Sequence, residues 1–444
     1  MVEVDWNAVE AEALEHFQAL LRFDTTNPPG DVAPATRYIA EILGREGIPS
    51  TVLEAAPGRT NLVARLSAGN PFDALMISAH LDVVAAEAER WAHPPFAGEI
   101  HDGYLWGRGA VDMKHMAVYG LMTLVLLRRL GVELRRDVVL AAIADEEAGM
   151  EYGSKWLAAN HPGLIAGRWC LSEVGGFTLH VGGQRVYPIQ RAEKGIVWLK
   201  MTTTGTPGHG SMPHRDNAVV KLSRALSRLA ARSLKRHRNL PVQGMIAALA
   251  RAAGFPLSVP LRLLSVPLVG DWVLDRLPGS DLTQVLFALL HDTACPTGLA
   301  AGQKENVIPS EASVVLDCRI LPGSSLAELQ SEIRHAVRED VKFEVIQASD
   351  PVVHEDDTPL FHVIRQVLSE RDPGCHVVPS CSVGYTDGAS YRKIGYTTYG
   401  FAPIRLPDDL VFSQLYHGHD ERIPIEGFNW GLRTFFEVVH RFCA

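Results

Sequence analysis

The amino-acid sequence predicts an α/β protein in which a smaller α+β unit interrupts a mostly parallel sheet covered by helices. Three observations carry that expectation. Helix and strand patterns alternate over the first two hundred residues. Residues 138–144 form an unbroken apolar, β-prone run, the mark of a central strand buried on both faces. Near Gly195 the texture changes, and Ile196-Val197-Trp198-Leu199-Lys200-Met201 opens a new strand–helix–strand–helix–strand series.

The elements follow in chain order. Apolar residues at Val9, Ala13, Leu14, Phe17, Leu20 and Leu21 recur at helical spacing over 8–22, and Asn27-Pro28-Pro29-Gly30 breaks the chain. Residues 33–46 read as a helix stopped near Gly47, 61–66 and 75–79 as strands, 113–130 as a strong helix, and 169–173 as a short strand. In the insert, 213–231 reads as a helix, 313–320 as a strand, and Ser325-Leu326-Ala327-Glu328 as a capping box opening a helix to about 337. A strand at 342–347 closes it. Helices are expected at 358–368 and at 427–442, the latter with Phe428, Leu432, Phe435, Phe436 and Val439 on one face. The expected domains are 1–195 with 351–444, and an inserted 196–350. Within the insert an apolar helical segment spans about 240–300. Its stretch 245–270 carries charge only at Arg251 and Arg262 and is cut by Pro256, Pro260 and Pro267. Apolar surface more often serves assembly, so a subunit interface or lid packing is expected there before a cover over a substrate pocket.

The 444 residues suit two or three domains. Forty-two basic against 51 acidic side chains give a net charge of −9, which argues against nucleic acid as a partner. No apolar stretch of eighteen residues occurs, and residues 1–15 lack a basic-then-apolar leader pattern, so neither a membrane span nor a signal peptide is expected. Six cysteines without a C-x-x-C pair read as buried free thiols in a reducing cytoplasm, not as a zinc–thiolate site.

Signatures of serine hydrolases, P-loop enzymes and H-E-x-x-H metalloproteases are absent from the sequence. What remains is histidine and carboxylate at the ends of expected strands. Ser78-Ala79-His80-Leu81-Asp82 closes one strand; His80 can offer a ring nitrogen to a metal while Asp82, two residues on, can hold the other. Gly107-Arg108-Gly109-Ala110-Val111-Asp112 is a glycine turn without dinucleotide spacing, and Asp112 alone would read as a helix cap. Ala144-Asp145-Glu146-Glu147 leaves the central strand with three adjacent acids, a costly arrangement unless a cation compensates. Glu173 follows the next strand, and Tyr416-His417-Gly418-His419-Asp420-Glu421 supplies late histidines. The carboxyl edge of one sheet is where open α/β folds gather such groups.

In combination, S-A-H-L-D-V-V, the stretch from Trp91 through Pro94-Pro95-Phe96 to Gly107–Lys114, and D-E-E-A-G resemble the M20 family of dinuclear zinc amidohydrolases and peptidases. That family includes aminoacylases, carboxypeptidase G, succinyl-diaminopimelate desuccinylase and carnosine dipeptidases. The resemblance implies a phosphorylase/hydrolase-like catalytic domain with an inserted ferredoxin-like lid and dimerisation domain. It implies two Zn²⁺ per chain, with Co²⁺ or Mn²⁺ as substitutes. His80 and Glu173 would hold one ion, Glu147 and His417 the other, and Asp112 would bridge them. Glu146 would be the general base to a shared hydroxide, and Asp82 would orient His80. His209 would reach a neighbouring subunit's site and steady the oxyanion, while Asn306, Arg319 and Thr386 would contact substrate. His419 competes with His417, which is preferred because the family places the ligand four residues before the glutamate, here Glu421. The late loop reads Thr386-Asp387-Gly388-Ala389-Ser390, without the arginine the family often has there; Arg392 is the nearest.

The implied activity is hydrolysis of an amide in an N-acyl amino acid or small peptide, in a homodimer. A dipeptidase or a hydrolase of carbamoyl and other N-substituted amino acids is the near alternative. A metal-free binding module and an M28-like aminopeptidase are the more distant ones.

Overall fold

The computed structural model describes residues 4–231, 234–237, 239–266, 269–274, 276, 281–411 and 414–444. The run expected to be a central strand is one: every residue of Val138–Ile143 is buried. Leu75–His80 lies parallel to it on one side and Arg59–Leu66 antiparallel on the other. Beyond Leu75–His80 come Trp169–Ser172 and Thr397–Gly400, both parallel. Gln184–Glu193 follows, pairing with His376–Ser382 in parallel and with Leu179–Val181 and Val352–Val353 antiparallel.

The sheet is therefore mixed, not mostly parallel, and connection length explains the difference. Ser50–Ala56 and Arg59–Leu66 are joined by a turn too short for a crossover, so they must run antiparallel. The strands of the centre are separated by helices, which permit parallel pairing.

Helices cover this sheet through one continuous core. Trp6–Leu21, Lys114–Arg129 and Ile425–Cys443 meet where Phe17 stacks on Phe428 at 4.8 Å and Phe428 on Tyr119 at 5.2 Å between ring centroids. Each such fully buried side chain contributes roughly 1.5–3 kcal/mol.

A second, four-stranded antiparallel sheet has the order Thr293–Ala301, Glu311–Ile320, Gly195–Thr204, Lys342–Ser349. Helices Ala218–Ala230 and Leu326–Val337 pack on it through Leu222, Ala225, Leu329 and Ile333. The capping box forms: Glu328 N–H donates to Ser325 Oγ, and the Glu328 carboxylate accepts from Ser325 N–H at 2.9 Å. The first of these helices starts later than the expected 213, because Asn217 caps it by accepting from the Val219 and Val220 amides. Thr293–Ala301 escapes the sequence pattern because Pro296 and Gly298 interrupt it; both are tolerated on an edge strand, where a bulge falls between them.

The apolar segment forms the helices Leu240–Ala253, Ser258–Leu263, Val269–Leu274 and Asp281–Leu290. Val242, Met245, Ile246 and Leu289 pack on Val186, Ala192, Val378 and Cys381 of the large sheet, so much of its grease seals that sheet's outer strands. Lys194 ties the segment down by donating to the carbonyls of Ala288 and His291 at 2.7 and 2.8 Å. Pro267 lies outside the described residues. All six cysteines are free and only Cys295 is exposed. Among the described residues, no helix is long and apolar enough to cross a membrane.

Candidate metal centre

The parallel strands deliver their polar ends to one edge. His80 is the last residue of its strand and sits opposite Ile143, so the loops carrying Asp82 and Asp145–Glu147 leave side by side. Glu173 leaves the neighbouring strand at the same edge. Asp112 arrives on the glycine turn before helix Lys114–Arg129. That turn needs glycine: Gly109 has φ +87°, and a Cβ there would stand 2.8 Å from Val83 Cγ1.

Asp112 lies between two imidazoles. Its Oδ1 is 3.0 Å from His80 Nε2 and its Oδ2 is 3.2 Å from His417 Nε2. Glu147 Oε2 is 3.2 Å from His417 Nε2, and Glu173 Oε2 is 3.6 Å from His80 Nε2. His80, Asp112 and Glu147 present three ligand atoms within 4.8 Å of one another, and so do His80, Glu146 and Glu173. Asp145, Val174 and His417 around this cluster adopt φ values of 71°, 59° and 59°. A β-branched valine in the left-handed region is strained, and such strain gathers where surrounding structure serves function.

The electrostatics favour a cation. Burial, then the neighbouring charges led by Glu173, drives the Glu146 carboxyl well above the usual range. Burial also raises Glu147 and Glu173. His417, hydrogen-bonded to Asp112 and Glu147, is pushed up to about 10. Burial opposes charge on His80 and favours protonation of Asp112, but their mutual contact, with Glu173 and His417, wins: His80 rises and Asp112 falls. Glu147 Oε1 is buried without any hydrogen-bond partner. Four carboxylates facing two imidazoles are what two divalent ions would neutralise, and carboxylate and imidazole are the donors zinc and its neighbours accept. The residues fit such ions.

A hydrogen-bonded frame supports the cluster. His80 Nδ1 donates to the Asp82 carbonyl at 2.9 Å. The Asp82 carboxylate accepts from Asn27 at 2.8 Å and from the Glu146 and Glu147 amides at 3.2 Å each. Buried Glu421 accepts from the amides of Gly109, Val111 and Asp112 and from Arg108 Nη1 at 2.7 Å, which fixes the Asp112 turn. Sequence reasoning used Glu421 only as a spacing mark and Asn27 only as part of a chain break. Its adjacency to the late histidines was the one available signal for Glu421.

Other expected residues lie elsewhere. His419 is exposed and makes none of the contacts that His417 makes. His209 is exposed, with its Nδ1 2.7 Å from Ser211 Oγ, on a two-residue strand whose partner strand follows Asn306. Among the described residues, no hydrogen bond or ion pair joins His209 or Asn306 to the acid cluster. Arg319 pairs with Asp317 at 2.7 Å, and its guanidinium lies 5.4 Å from the centroid of the Tyr385 ring, next to Thr386. The Thr386 hydroxyl donates to Glu193 at 2.8 Å, which leaves it buried and engaged. Arg392 is exposed.

Known proteins share this fold. Residues 76–441 match peptidase family M20/M25/M40. The mouse N-fatty-acyl-amino acid synthase/hydrolase PM20D1 is 31% identical over 389 residues, covering 82% of this chain and 73% of its own. Pig aminoacylase-1 is 26% identical over 434 residues, covering 95% and 93%. Among solved structures, an M20 metallo-carboxypeptidase from Sulfolobus solfataricus superposes with a TM-score of 0.72 at 15% identity, covering 97% of this chain and 99% of that one. Human carnosine dipeptidase 1 superposes at 0.66 and 13%, covering 98% of each. The chain belongs to peptidase family M20/M25/M40 and is a metal-dependent hydrolase of the amidohydrolase and peptidase class.

Proposed function

We propose that the protein cleaves the amide bond of N-acyl amino acids. The observation that carries this reading is the Asp112 carboxylate, one oxygen against His80 and the other against His417. His80 and Glu173 would hold one divalent ion, Glu147 and His417 a second, and Asp112 would bridge both. We take the ions to be zinc, which supplies Lewis acidity to water and carbonyl alike. Glu146 would be the proton carrier: its carboxylate, made more basic by burial, would take a proton from the attacking water and pass it to the leaving nitrogen. Asp82 holds Glu146 in place through the Glu146 amide. Acyl chains are favoured over a second amino acid because relatives acting on N-fatty-acyl amino acids and an aminoacylase match over most of the chain.

His209 would complete the site of a second copy, since it stands exposed on the small sheet. Mixed dimers of H209A and E146Q would then regain activity that neither variant shows alone; activity confined to the wild type would mean His209 does not act across subunits.

A substrate panel tests the reading. Metal-loaded enzyme should release amino acid from N-octanoyl-amino acids faster than from dipeptides, and chelation should abolish this until zinc is returned. A clear preference for dipeptides would replace the assignment with a dipeptidase.

A further inference from the structure

We propose that a cleft between helix Leu240–Ala253 and the outer strands of the large sheet binds a small carboxylate with an apolar tail. The cleft has a volume of about 450 Å³, within the range of small-molecule pockets. Its rim carries Arg191, Arg251 and Arg365 against a single acid, Asp356, for a balance of +2 in a chain whose total is −9. Asp356 lies 3.6 Å from Arg191 Nε, beyond hydrogen-bond reach, and that buried nitrogen has no hydrogen-bond partner. Arg365 lies over the Phe361 ring at 5.2 Å, and among the described residues neither Arg251 nor Arg365 has an ion-pair partner. Three guanidinium groups against one carboxylate make the cleft attractive to an anion.

The walls choose the kind of anion. Ala248, Val377 and Pro379 line the cleft beside the arginines, and a Cβ at Gly244 would meet no atom within 4 Å. A guanidinium fork pairs with a planar carboxylate through two hydrogen bonds, while Ala248, Val377 and Pro379 offer a tail of methylene groups apolar contact. Inorganic phosphate would engage the rim and leave the wall unused. None of these residues belongs to the metal centre, so the site stands or falls apart from the proposed reaction.

Calorimetric titration of the metal-loaded protein with octanoate tests the assignment, with inorganic phosphate in parallel; octanoate is also the acid product of the proposed reaction, so binding at the metal centre persists in every variant and the cleft is read as an additional site. Wild type should bind octanoate at one site more than R251E/R365E, whose cleft affinity should fall at least tenfold while hydrolysis measured without octanoate is unchanged. Ala248→Leu keeps a strong helix former and fills the cleft, so it too should lose the additional site. Equal octanoate binding by all three proteins overturns the site. Phosphate that displaces octanoate at equal affinity overturns the carboxylate-with-tail assignment.

Discussion

His80 is held by the main chain of Asp82: its Nδ1 donates to the Asp82 carbonyl at 2.9 Å, while the Asp82 carboxylate stands 3.7 Å away. A carbonyl can only accept, so this bond places a proton on Nδ1 and makes Nε2, beside Asp112 and Glu173, the nitrogen that would meet a metal ion. The Asp82 side chain is thereby free for a different task, gripping the loop of Glu146 and Glu147.

Asp82→Ala should therefore spare the His80 tautomer and loosen the Glu146–Glu147 loop. We expect kcat to fall about 10–100-fold, the usual cost of losing an outer partner of a metal site. Steady-state kinetics alongside elemental analysis checks this. Loss of bound metal in proportion to activity, with turnover per bound metal unchanged, would show that Asp82 acts on His80 after all.

Glu146→Gln keeps the shape of the side chain and removes its proton affinity. Metal content should stay at the wild-type level while kcat drops by about 10²–10⁴, the range for a positioned acid–base group. A variant that turns over normally sinks the assignment.

Glu421 and Arg108 form a buried ion pair, with both side chains at most 2% exposed. Glu421→Leu strands the arginine and releases the amides of the Asp112 turn. A loss of about 3–5 kcal/mol in stability is expected from urea unfolding in chelator, with the double change R108L/E421L recovering part of it. A loss below about 1 kcal/mol would show that the turn holds without this pair.

Much of the site was legible because each residue ends a pattern that periodicity makes plain. His80, Glu146, Glu147 and Glu173 follow apolar runs, and Asp112 follows a glycine turn. The parallel centre of the sheet then gathers them without any signal beyond strand order. Gln184–Glu193 was hidden because its polar residues and Pro188 mask its role as the hub of the sheet's outer strands. Asn27 was hidden for another reason: its partner Asp82 is brought near only by the fold. Local chemistry thus singled out acids and imidazoles that the fold brings together, while the frame around them depends on contacts between distant segments.

Two buried imidazoles set an acid limit on stability. Burial holds His115 down at about 3, and burial with the charges of Arg392 and Arg191 holds His354 down at about 4. In the unfolded chain both return to roughly 6.5. The unfolded state then takes up protons first, so their contribution is complete above about pH 6.5 and is lost as pH falls toward 4. In chelator, the urea midpoint of His354→Gln should depend less on pH between 6.5 and 4 than that of wild type. Parallel curves would contradict a neutral buried His354.

The bridging position of Asp112 is tested most directly by anomalous diffraction at the zinc edge from crystals of the loaded protein. Position matters more than count, because His93, Glu99 and His101 form a separate, partly exposed trio of potential ligands. Two peaks flanking the Asp112 carboxylate, one beside His80 and Glu173 and the other beside Glu147 and His417, are the predicted result. A single peak, or a pair that does not share Asp112, would contradict the account.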